Sequence, residues 1–148
     1  MDVIPWVVGT DGVIRGPAGE GRVAAVARND LADVAVSVLL GEDHRGVAYD
    51  VAGPERLTMH HIAEIFSRVT GRDITYDAET IEEAYEARAH YGAPVWEVDG
   101  WVSSLAGVAN GEMDVPSDAV LALTGHSPMA FDEFLRRNPE NYRHLLLA

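Results

Sequence analysis

Apolar residues recur along this chain at two spacings. Residues 23–27, VAAVA, form a short uninterrupted apolar run of the kind seen in strands buried on both faces. Beyond it, Leu31, Val34, Ala35, Val38 and Leu39 repeat at helical intervals, and Ala32, Val36 and Leu40 widen the apolar arc, so this helix is expected to be buried on most sides. Asp30 is placed to cap it, because its carboxylate can accept from the free N–H groups of the first turn, and Gly41 is placed to end it. Residues 47–51, VAYDV, read as a return strand, and Gly53-Pro54 turns the chain away. Strand, helix and strand together predict a crossover unit beside a parallel sheet.

The flanking segments carry their own signals. Residues 3–8 are apolar and rich in β-formers, with Pro5 favouring an edge or a strand start. Asp11-Gly12, set between the apolar residues 6–8 and 13–14, predicts a hairpin turn. Gly16, Gly19 and Gly21 make a Gly-x-x-Gly-x-Gly pattern. A dinucleotide loop needs a strand, then glycines, then a helix whose N-terminus meets the pyrophosphate. Here the glycines lead into a predicted strand, so they read as a plain turn.

From residue 58 onward the pattern is mostly helical. Thr58 can cap a helix running to Thr70, with Ile62, Ile65, Phe66 and Val69 inward and Gly71 as its stop. Ile74 to Tyr76 reads as a short strand. Thr80 and Glu83 have capping-box spacing for a helix ending near Tyr91. Pro94 suits the start of the next helix, whose stripe is Val95, Val98, Trp101, Val102, Leu105 and Val108. A short helix over residues 119–123 should end at Gly125. A last one is faced by Phe131, Phe134 and Leu135; Ala130 is a poor cap for it, and Pro139 ends it. Residues 142–147 are expected to form a final turn or a partner contact.

The pattern describes one domain: residues 1–57 as a strand-hairpin and strand-helix-strand core, and residues 58–148 as a mostly helical portion. The fold class is α/β, with a small, mostly parallel sheet. At 148 residues such a domain can bury roughly 68–70% of its unfolded surface. Net charge is −13, from 24 acids against 11 arginines, with no lysine and no cysteine. That field repels phosphate backbones and anionic membranes, which argues against nucleic acid as a partner. The missing residue types exclude thiolate metal sites, cysteine nucleophiles, Schiff bases and a Tyr-x-x-x-Lys pair. Nothing reads as a signal peptide or a membrane span, so cytoplasmic placement is expected.

The run GPAGEGRVAAVARNDLADVAVSVLLGEDHRGVAYDVAGPERLT resembles the NmrA-like branch of the atypical short-chain dehydrogenases. The resemblance continues through IAEIFSRVTGRDITY, EEAYEARAHYGAPVWEVDGWVSSL, ALTGHSP and FDEFL, from residue 12 to residue 135. It covers only the C-terminal, substrate-side half of that family. It implies a partial Rossmann-like portion followed by a helical substrate-side segment, and NAD(P) as the family's cofactor. For a full-length member it implies hydride transfer from a nicotinamide to a quinone, an azo compound or a similar small acceptor. Without the glycine fingerprint, this chain alone is expected to be inactive in hydride transfer and to bind dinucleotide weakly or not at all. Apolar surface bared by a missing half implies a homodimer or a separate nucleotide-binding half as partner, with residues 3–8, the edge of residues 23–27 or the helix of residues 95–108 as the contact. The alternative is a stand-alone binding or interaction module of redox-regulator ancestry.

Candidate chemistry is sparse. His60 or His61 with Glu64 has metal-like spacing but no third ligand nearby, and reads as a solvated helix face. Asp77, Glu79, Glu82, Glu83 and Glu86 read as helix N-terminal stabilisation and solubility. Ser103 and Ser104 lack a nucleophile-elbow context. No catalytic residue is assigned. The best substrate-binding candidates are Tyr91, Pro94, Trp96 and Trp101, around a break between two helices; in the resembled family this region helps to form the substrate pocket. Aromatic rings with polar tips suit that task. Periodicity puts Trp101 on the buried stripe and Trp96 off it.

Overall fold

The computed structural model describes Met1 and residues 4–146; Val3 and Leu147, at the ends of two expected contacts, lie outside the described residues. The architecture is α/β. Strand β1 (Val13–Gly16) pairs in parallel with β2 (Thr75–Ala78), Val13 opposite Thr75 and Gly16 opposite Ala78. Between them run α1 (Arg28–Leu40) and α2 (Met59–Thr70). After β2 come α3 (Ile81–Arg88), α4 (Val95–Ala109), α5 (Ala119–Thr124), α6 (Phe131–Arg137) and α7 (Arg143–Leu146). Among the described residues no helix is long and apolar enough to cross a membrane.

Local chemistry fixes most helix ends where the pattern places them. Thr58 accepts from the His61 N–H, and His61 returns to the Thr58 backbone, completing a capping box on α2; left-handed Gly71 closes its far end. The turn before β1 forms through Asp11-Gly12: Gly12 has φ +82, and Val8 bridges Ile14 antiparallel. Residues 4–7, expected to be extended, instead make a 3-10 helix (Ile4–Val7).

The main core is built on α2 and α6. Phe66 meets Phe131 edge-on at 5.6 Å and Tyr142 at 6.3 Å, with Ile14, Ile62, Leu135 and Leu145 fully buried around them. The uncapped start of α6 is held from a distance. The Phe131 N–H donates to Glu55 Oε2 at 2.8 Å, and the Met129 N–H donates to Asp30 Oδ2 at 2.8 Å. Two remote carboxylates thus supply what Ala130 cannot.

Four further expectations fail between residues 23 and 51. Asp30 does not cap α1: the helix begins at Arg28 with Ala27 in the cap position, and Asp30 is buried in the first turn, facing Met129. Residues 23–27 form no strand. Val23 makes an isolated antiparallel bridge to Leu57, and the Ala24 N–H donates to the Met113 carbonyl at 2.9 Å. Residues 47–51 enter no ladder and are largely exposed. A strand needs a neighbour to take its backbone hydrogen bonds, and the only parallel pairing among the described residues is β1 with β2. With neither flanking strand formed, α1 has no sheet to cover it and is not buried on most sides: Leu39 and Leu40 are 82% and 81% exposed.

Candidate functional site

The aromatic candidates sit on a helical hairpin of α3 and α4. The Thr80–Glu83 capping box starts it: Glu83 Oε2 accepts from the Thr80 N–H at 2.8 Å, and that bond holds the Glu83 carboxyl below its usual range. A 3-10 turn (Ala89–Tyr91) ends at left-handed Gly92, and α4 begins after Pro94. The hairpin has its own small core of Ala84, Val98 and Val102, backed by Ala93. Arg88 ties it to the sheet. Its guanidinium donates to Glu79 Oε2 at 2.9 Å, to the Ala84 carbonyl at 2.8 Å and to the Arg15 carbonyl of β1 at 3.0 Å. At the other end of α4, Leu105 packs against Gly16 of β1.

This frame brings some candidates together and separates others. Tyr91 meets Trp101 edge-on at 6.0 Å, and His90 lies against Tyr91 with ring centres 3.9 Å apart. Tyr91 is 64% exposed and Trp101 39%, so Trp101 is a surface residue and not the core residue its stripe position predicts. Trp96 is 73% exposed and has no ring partner among the described residues. Five residues along a helix turn the side chain by about 140°, which points Trp96 away from Trp101. Pro94 is exposed and orients α4, its carbonyl accepting from the Glu97 N–H at 2.9 Å.

The remaining polar candidates are occupied structurally. Ser104 Oγ donates to the Gly100 carbonyl at 2.6 Å, and Ser103 Oγ to the same oxygen at 3.3 Å. His61 is engaged in the α2 cap, and His60 lies 3.6 Å from Glu20 and edge-on to Tyr76. Of the acidic cluster, Glu79 is paired with Arg88 and Glu83 with the Thr80 N–H. The glycine-rich segment after β1 is a turn: the Tyr76 hydroxyl donates to the Gly16 carbonyl at 2.8 Å and accepts from the Ala18 N–H at 3.1 Å. Burial pushes that phenol up. A side chain at Gly21 would collide with the Val108 carbonyl. The two residues missed by pattern reading are His90 and Arg88; His90 was signalled only by being next to Tyr91.

A parallel strand pair crossed over by helices is an α/β arrangement, and it matches part of Rossmann-like NAD(P)-binding reductase structures. The chain is 32% identical over 120 residues to NAD(P)H azoreductase of Xenophilus azovorans, covering 81% of this chain and 42% of that protein. It is 31% identical over 144 residues to (4-alkanoyl-5-oxo-2,5-dihydrofuran-3-yl)methyl phosphate reductase of Streptomyces griseus, covering 95% and 50%. Its fold superposes on the NADPH complex of an Escherichia coli NADPH-dependent quinone oxidoreductase with TM-score 0.83 and 26% identity, covering 91% of this chain and 47% of that one. No family model matches the chain. The resemblance to a part of an NmrA-like, atypical short-chain dehydrogenase stands, and the chain spans about half the length of the relatives it matches.

Proposed function

We propose that this chain is the substrate-side half of an NAD(P)H-dependent reductase, and that the His90–Tyr91–Trp101 face of the hairpin receives its small aromatic acceptor. The observation that carries this is the exposed Tyr91–Trp101 pair on a chain related to azo- and quinone reductases. Adjacent exposed aromatic rings form a contiguous apolar patch, and such patches are characteristic of binding sites. Pro94 shapes the helix break, and Trp96 stands at its margin. A naphthoquinone titration followed by NMR tests the reading. The indole signal of Trp101 is expected to shift saturably and more than that of Trp96; equal or absent shifts at both would remove it.

The cofactor belongs to the family, and this chain alone is proposed to hold it weakly and to transfer no hydride. In support, the turn of Gly16, Gly19 and Gly21 leads into extended chain and not into a helix N-terminus. Calorimetric titration with NADPH is expected to show only binding weaker than micromolar or none, and a micromolar or tighter dissociation constant overturns the proposal. A homodimer, or a separate nucleotide-binding half, is proposed as partner in a cytoplasmic setting. The exposed Leu31, Val36, Leu39 and Leu40 of α1 favour such a contact. A monomeric mass by light scattering at micromolar concentration would exclude the homodimer.

A further inference from the structure

We infer that His90 is a recognition residue of this face: its Nε2 accepts a hydrogen bond from the hydroxyl of a neutral phenolic ring packed beside Tyr91 and Trp101, face-on to one ring and edge-on to the other, since the two are nearly perpendicular. The inference rests on the reading of the hairpin face as the small-molecule site. His90 Nδ1 lies 2.8 Å from the Ala87 carbonyl oxygen. A carbonyl can only accept, so Nδ1 carries the proton in that contact, and Nε2 of the neutral ring is left as an acceptor. No hydrogen-bond partner for Nε2 exists among the described residues. The ring's position is set from two sides, by the Ala87 bond and by Tyr91 at 3.9 Å. Left-handed Gly92 closes the turn beneath it, its N–H donating to the Ala89 carbonyl at 3.3 Å.

An acceptor held in place beside two open aromatic rings is complemented by a flat ring that carries a donor. The chain's charge of −13 disfavours an anion at this face, which selects a neutral hydroxyl over a carboxylate or phosphate. In chemical terms the fit is to a phenol or a quinol, the hydroxyl-bearing form of a quinone after two-electron reduction.

The experiment compares β-naphthol with its methyl ether, which stacks equally well but cannot donate. Binding to the full chain is followed by the Trp101 indole signal. Wild type is expected to prefer naphthol roughly five- to tenfold, the value of one added hydrogen bond. In His90→Phe the preference should vanish while the ether's affinity stays within about twofold, and His90→Gln, which can still accept, should restore part of it. Trp101→Ala, which removes a ring of the face without touching His90, should weaken both ligands alike, read by calorimetric titration. A preference that survives in His90→Phe, or equal binding of both ligands to wild type, overturns the role of His90 alone. If neither ligand binds, the reading of the face falls with it.

Discussion

The main core and the hairpin of α3 and α4 are held by different means. Around Phe66, Phe131 and Leu135, side chains from both strands, α2, α6 and the C-terminal turns interlock with almost no solvent contact. The hairpin buries only Ala84, Val98 and Val102 between its helices. Its outer part is tied down by one polar anchor, Arg88, whose ion pair with Glu79 leaves the two side chains only 14% and 9% exposed, while the C-terminal end of α4 joins the main core through Leu105 and Val108. The first region loses its packing only all at once; the second can leave while the first persists. The contrast bears on function, because the exposed aromatic rings belong to the weaker region.

Two substitutions break the comparison most severely if it is wrong. Phe131→Ala should cost about 3–5 kcal/mol, a large buried ring lost from close packing, and should lower the urea midpoint for every probe together. Arg88→Ala leaves Glu79 buried without its partner and should cost about 3 kcal/mol, confined to the hairpin. Amide exchange should accelerate across α3 and the first half of α4 while the amides of α2, α6 and residues 105–108 at the end of α4 keep their protection. Acceleration spread evenly over both regions would show that the hairpin is not a separate unit.

What the sequence shows legibly, and what it hides, follows from where each hydrogen bond goes. Thr58 and Gly71, the Thr80–Glu83 box and Gly125 are local devices, with both partners inside a few residues, and each appears where the pattern puts it. Residues 23–27 and 47–51 have strand composition, but a strand is completed by another segment and no periodicity names that segment. The helix of residues 28–40 is apolar nearly all round, yet only Asp30 and Val34 are buried. Asp30 and Glu55 serve N–H groups 99 and 76 residues away, beyond any local rule. At the site, the break at Pro94 and the meeting of Tyr91 with Trp101 follow from the pattern. The exposure of Trp101 does not, since a stripe marks a face without saying whether anything covers it.

A smaller effect sharpens the contrast from the side of the main core. Asp30→Asn keeps the shape but removes the charge that the Met129 N–H points at, at a site where Asp30 is only 4% exposed. The expected loss is about 1–2 kcal/mol, read as a lower urea midpoint with the denaturant slope unchanged. It should fall just before the start of α6, so exchange at the Met129 amide should rise while the hairpin's amides stay as in wild type.

The smallest expected effect is a dependence on pH at the joint of α1 with the loop after α5. His126 Nδ1 lies 3.0 Å from the Ser127 carbonyl oxygen and Nε2 lies 3.2 Å from Asp33 Oδ2. Both partners accept, so making both contacts requires the imidazolium. The Ser127 carbonyl first, then the Asp33 hydrogen bond and the charges of Asp30 and Asp33, raise this ring above its ordinary value of 6.5, against partial desolvation. A raised folded value means that the stabilisation is complete below about pH 6.5 and is lost as pH rises through the folded value. The pair is open to solvent, which keeps the effect small. His126→Gln should therefore lower the urea midpoint slightly at about pH 5.5 and leave it unchanged at about pH 8.5. The same two conditions should leave the relative exchange rates of α3 and α4 unaltered, because no contact of His126 reaches the hairpin. A wild-type to variant difference of the same size at both pH values would mean that the ring acts by packing and not by charge.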